Sequence, residues 1–117
     1  MKGEPVRAAN GRVVGEVQGN TFRKCVRRSV HFLRQPPAIA WDTCALEQAE
    51  DLGATRTEVL DTESGYIYTA PLNAFWQDGV RLNRGHGPQI ALPLDKWQVH
   101  RPGERAGTQL ELWGRQP

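Results

Sequence analysis

Apolar and polar positions change period several times along the chain, and each change marks an element. Residues 1–11 carry Gly3, Pro5 and Asn10-Gly11 with few apolar side chains, a loose lead-in. Arg12-Val13-Val14-Gly15-Glu16-Val17 reads as a first strand, and Gly19-Asn20 as the turn that ends it. The stretch from Thr21 to Leu33 fits two periods. As a strand it places Phe22, Val26, Val30 and Phe32 on one face, with Lys24 and Arg28 interrupting that face. As a helix it gives the stripe Phe22, Cys25, Val26, Val30 and Leu33. The density of Thr, Val and Phe in its first half predicts a strand over 21–27. An extended connection then runs over 28–36 to Pro36-Pro37.

Ala38-Ile39-Ala40-Trp41 reads as a short buried strand, and the clearest helix follows at about 43–52. Asp42 or Thr43 supplies the N-cap, Ala45, Leu46, Ala49 and Leu52 share a face, and Gly53 suits the left-handed residue past the end. Arg56–Asp61 and Tyr66–Ala70 flank Thr62-Glu63-Ser64-Gly65, a hairpin signature. Pro71, then Leu72, Phe75 and Trp76 before Gly79, predict a second short helix at about 72–78. Val80-Arg81-Leu82 and Ile90-Ala91-Leu92 read as strands around a loop over 83–89. Pro102-Gly103 and Gly107 open a linker, after which Gln109-Leu110-Glu111-Leu112-Trp113 alternates like an edge strand. The order of elements predicts an α+β domain over 1–100, with helices on a mostly antiparallel sheet, and a tail over 101–117.

Composition narrows the class. At 117 residues, 38% apolar and 24% charged, the chain can bury a core without staples. Four Trp, three Phe and two Tyr argue against disorder. The charge-free runs are far shorter than the ~18 apolar residues of a membrane span. Met1-Lys2-Gly3-Glu4-Pro5 has no apolar segment behind its lysine, so the reading is a cytoplasmic protein. Cys25 and Cys44 belong to no close ligand pair with each other or with His31, His86 or His100. Two reduced thiols, no zinc and no cofactor are therefore expected.

The net charge of +2 hides a polarised chain. Residues 1–35 hold eight basic and two acidic side chains, whereas residues 36–63 hold one basic and seven acidic. Such asymmetry points to an anionic partner for the basic part. Between Thr21 and Arg34, the cations Arg23, Lys24, Arg27, Arg28 and Arg34 alternate with rings, hydroxyls and His31. Cations neutralise phosphates and exposed rings stack on bases, so this composition suits DNA or RNA. Strand alternation would place Arg23, Cys25, Arg27, Ser29 and His31 in one solvent-facing row. The loop Arg84-Gly85-His86-Gly87-Pro88 adds a fixed cation, a titratable ring and glycines that expose backbone amides. It matches neither a dinucleotide fingerprint nor a P-loop.

The expectation is thus a small non-enzymatic nucleic-acid-binding or accessory protein, with Arg23, Lys24, Arg27, Arg28, His31, Arg34, Arg84 and His86 as contacts. Two alternatives belong to other classes. One is a metal-independent, toxin-like ribonuclease, drawing base, acid and phosphorane stabiliser from His31, His86 or His100, Glu58 and the arginines. The other is an adaptor or inhibitor whose tail Gln109–Trp113 pairs with a protein partner's sheet edge.

Overall fold

In the computed structural model, residues 3–26, 37–84 and 87–101 are described, Arg84 by its backbone alone. Among them nine strands and two α-helices form an α+β fold with two sheets. The strands are β1 (Glu4–Arg7), β2 (Val13–Gln18), β3 (Thr21–Val26), β4 (Ala38–Asp42), β5 (Arg56–Asp61), β6 (Ile67–Pro71), β7 (Val80–Arg84), β8 (Gly87–Pro93) and β9 (Gln98–His100). The helices are α1 (Thr43–Asp51) and α2 (Asn73–Asp78), and a 3-10 turn spans Leu94–Lys96. No helix among these residues is long and apolar enough to cross a membrane.

The larger sheet runs β1-β2-β3-β5-β6-β9 and the smaller β4-β8-β7. All neighbours are antiparallel except β3 and β5, which run parallel from Thr21↔Arg56 to Val26↔Asp61. Parallel neighbours need a long crossover. Here the crossover contains β4, which pairs into the second sheet, and α1. A mostly antiparallel α+β fold is as the pattern predicts, but its strands divide between two sheets. The reason lies in β4, which is buried at all five positions. Ile39 and Trp41 enter the main core, while Ala38 and Ala40 pack with Ala91 and Leu82 in a small second cluster.

The main core lies between the sheets. Phe22 of β3 stacks on Trp41 at 4.2 Å, Trp41 meets Phe75 edge-on at 6.2 Å, and Phe75 meets Trp97 at 5.5 Å. Each large ring buried this way contributes about 1.5–3 kcal/mol. The helices close its ends: α1 packs on β1, β2, β4 and β8, and α2 on β6 and β8.

The local signals translate unevenly into structure. Helix α1 has its Asp42 cap position and Gly53 at φ +96°, although the Asp42 side chain makes no capping hydrogen bond. The 61–66 hairpin closes with Gly65 N–H donating to Asp61 O at 2.7 Å. The lead-in contains β1, whose Val6 is fully buried. Over its described residues the loop read at 83–89 is instead part of the β7–β8 ladder, which continues to Asn83↔Pro88 and Arg84↔Gly87. Strand β9, three residues long, has no counterpart in the sequence pattern. The tail segment Gln109–Trp113 lies outside the described residues, as do Arg27, Arg28, His31, Arg34 and His86, and the side chain of Arg84.

Candidate functional site

The cleft that gathers most chemistry opens where β2 and β3 part. Their ladder runs from Gln18↔Thr21 to Glu16↔Arg23 and stops there. Beyond it, the β1–β2 register jumps from Val6↔Gly15 to Arg7↔Val13, which leaves Val14 as an extra, bulged residue. The bulge turns the Val14 carbonyl to the smaller sheet, where it accepts from the Trp41 indole Nε1 at 3.0 Å. At Gly15 a Cβ would stand 2.6 Å from the Phe22 ring and 2.9 Å from the Arg23 carbonyl, so only glycine lets β2 lie this close. The resulting hollow, of about 510 Å³, is lined by Arg12, Val14, Gly15, Glu16 and Gln89 together with Arg23, Lys24, Cys25, Trp41 and Asp42.

Lys24 is the central side chain. It lies on the same face of β3 as Phe22, so it points between the sheets rather than outwards. Its Nζ donates to the Ala40 carbonyl at 2.8 Å and sits 4.5 Å from the centre of the Trp41 ring. Burial lowers its pKa from 10.5 to about 8, partly offset by the nearby Asp42 carboxylate. An ammonium has three donors, and Ala40 uses one. Asp42 lines the cleft with its carboxylate uncommitted to the α1 cap.

Arg23 corrects the expectation of a solvent-facing cationic row. It is only 3% exposed, and its guanidinium pairs with Glu16 at 3.2 Å through both Nε and an Nη. Its partner is the residue directly across the ladder, as cross-strand pairing of opposite charges favours. Along that face its parallel neighbour is Glu58, which is fully buried. Cys25, one position further on the same face as Arg23, is exposed and free, as is the half-buried Cys44. Burial raises the Cys25 thiol pKa, Arg23 lowers it and Glu16 raises it further, a balance that keeps the thiol protonated. Among the described residues no cluster of His, Cys, Asp and Glu could hold a metal ion.

Of the eight contacts expected from sequence, the fork therefore brings together Arg23 and Lys24, and the other six fall outside the described side chains. Arg12, Glu16 and Asp42 are additions. His100 and Glu58, two of the groups considered for a ribonuclease, do not line the hollow. The His100 Nε2 lies 3.4 Å from Thr69 Oγ1 at the β6–β9 edge of the larger sheet, and Glu58 has no exposed surface from which to take a substrate proton. Comparison with protein-family models, with curated proteins and with solved structures finds no match.

Proposed function

We propose that the chain is a non-enzymatic nucleic-acid-binding or accessory protein, and that the fork between β2 and β3 seats one nucleotide unit of the strand. The observation that carries this reading is the set of groups around a hollow of about 510 Å³, within the roughly 300–1,000 Å³ of small-ligand sites. The exposed Arg12 and the Lys24 ammonium stand ready for a phosphate, and Arg is suited to a two-point contact with its oxygens. Glu16 and Asp42 are acceptors for the N–H groups of a base or the hydroxyls of a sugar. A purely anionic small ligand would have little use for those two carboxylates, whereas a nucleotide offers both kinds of partner.

The excess of eight basic over two acidic residues in positions 1–35 supports the same reading, because it surrounds the fork sequence with positive charge. Arg23 does not contribute a contact in this scheme. Its guanidinium holds Glu16 in place, so the binding cations in this proposal are Arg12 and Lys24 together with the remaining residues expected from sequence, Arg27, Arg28, His31, Arg34, Arg84 and His86.

Fluorescence anisotropy with labelled single-stranded oligonucleotides, across a salt series, tests the proposal. Saturable binding that weakens with salt, is competed by free mononucleotide and is weakened by Arg12→Gln and Lys24→Met supports it. Absence of binding, or binding that neither substitution alters, rejects it.

A further inference from the structure

A second hollow, of about 480 Å³, differs from the fork in its charge. It forms where the start of β5, the end of β6, the 3-10 turn and β9 meet, and it is lined by Thr55, Arg56, Thr69, Lys96 and Gln98, with Ala70 and Pro71 completing its wall. Two of these groups are cations, three are neutral hydrogen-bond donors, and none is a carboxylate. Glu58, two residues along β5 from Arg56 and directly across the ladder from Thr69, is the nearest carboxylate on that face; it is fully buried and does not line the notch.

We infer that this notch is a binding site for a phosphate-type oxyanion, held between Arg56 and Lys96 and hydrogen-bonded by Thr55, Thr69 and Gln98. The inference stands apart from the reading of the fork, with which the notch shares no residue.

The chemistry follows from the lining. A guanidinium presents parallel N–H groups that match two oxygens of a tetrahedral anion, and an ammonium adds a compact charge from another direction. The two cations come from separate elements, β5 and the turn before β9, so closing them on one another without an anion would bring like charges together. Thr69 lines the notch and is nearly buried on the sheet, with the His100 Nε2 3.4 Å from its hydroxyl; with Nε2 protonated that ring donates to the Thr69 oxygen and leaves the hydroxyl proton for the anion. Thr55, Gln98 and Lys96 are exposed and can adjust to the ligand. The free anion and the phosphodiester of a nucleic-acid backbone share this chemistry.

Backbone amide NMR of the ¹⁵N-labelled protein distinguishes the sources. One titration uses inorganic phosphate, with sodium chloride at matched ionic strength as control. The other uses an oligonucleotide lacking terminal phosphates. Saturable shifts at Arg56, Thr69 and Gln98 with phosphate identify a site for free phosphate or its monoesters. The same shifts with the oligonucleotide alone identify a site for the backbone, and in both cases Arg56→Gln/Lys96→Gln should weaken binding roughly tenfold or more. Shifts that chloride reproduces, or that persist in the double variant, overturn the inference. Lys96→Gln alone changes an exposed side chain and keeps the test open if the double variant does not fold. Loss of oligonucleotide binding at the fork with phosphate still saturating the notch would reject the functional reading and leave this one standing.

Discussion

Substituting Lys24 by Met should change how stability depends on pH, by an amount the structure sets. Burial lowers the Lys24 pKa to about 8, against 10.5 for the unperturbed side chain. In that window the unfolded chain binds more protons than the folded one, so stability must rise with pH from about 8 to 10.5. Equivalently, the contribution is complete above 10.5 and is lost as pH falls to 8. A shift of this size corresponds to about 3 kcal/mol over the full window, and to about 2–3 kcal/mol between pH 7 and 10. Met keeps the length and packing of the stem and removes the titration. It also leaves the Ala40 carbonyl without its side-chain donor, which costs about 1–3 kcal/mol at every pH. The two variants should therefore be similar in stability near pH 7, and the wild-type chain should become the more stable by pH 10. Urea unfolding followed by tryptophan fluorescence measures this directly, since Trp41 and Trp97 are buried. Burial also raises the Cys25 and Tyr68 pKa values, and these contributions make stability fall as pH climbs through 9 and 10. They are present in both proteins and cancel in the difference. A wild-type-minus-variant gap that stays flat from pH 7 to 10 would refute the placement of the ammonium out of water.

Gly15→Ala should destabilise the fold by about 1–3 kcal/mol in the same denaturation assay, because its Cβ would press on both the Phe22 ring and the Arg23 carbonyl. Arg23→Gln should cost about 1–3 kcal/mol through loss of a nearly buried guanidinium pair, moderated because Glu16 is partly exposed and can be rehydrated. That outcome, read by thermal unfolding, separates a structural arginine from a surface one, whose removal changes little. Arg12→Gln should leave stability unchanged and flatten the slope of log affinity against log salt by about 0.7 on single strands, as expected for one lost phosphate contact.

Sequence periodicity was informative wherever an element has one apolar face and a chemically marked end. Helix α1 shows its buried Ala45, Leu46 and Ala49 and its glycine stop, and the β5–β6 hairpin shows its turn. Edge and short strands were not legible. Strand β1 has a single buried position, Val6, and carries Pro5, which an edge strand tolerates. Strand β9 is three residues long, too short for any alternation to register. The division into two sheets depends on β4 being buried on both faces, which a run of Ala-Ile-Ala-Trp does not distinguish from a central strand of one sheet.

At the candidate site the limits are similar. Alternation along β3 gives two faces, but not which charge on the neighbouring strand a cation will meet. Arg23 finds Glu16 through the β2–β3 register, which is a long-range property. Lys24 did leave a trace, as a cation interrupting the apolar face of Phe22 and Val26. Such a residue either breaks the strand or has its ammonium held by a carbonyl and a ring, and the structure realises the second case. The role of Gly15 and the bulge at Val14 left no comparable mark, since the first arises from the approach of β2 to β3 and the second from a contact between β2 and Trp41 of β4.

Mapping where a nucleotide contacts the protein tests the fork as its seat. A ¹⁵N-edited NMR titration with a short single-stranded oligonucleotide, following the Trp41 indole N–H and the Val14, Gly15 and Lys24 amides, reports on the fork from several sides. Saturable shifts are expected at these groups, reduced in Lys24→Met while the remainder of the spectrum is preserved. Saturable binding that leaves all of them unmoved would place the nucleic acid elsewhere and rule out the fork as its seat.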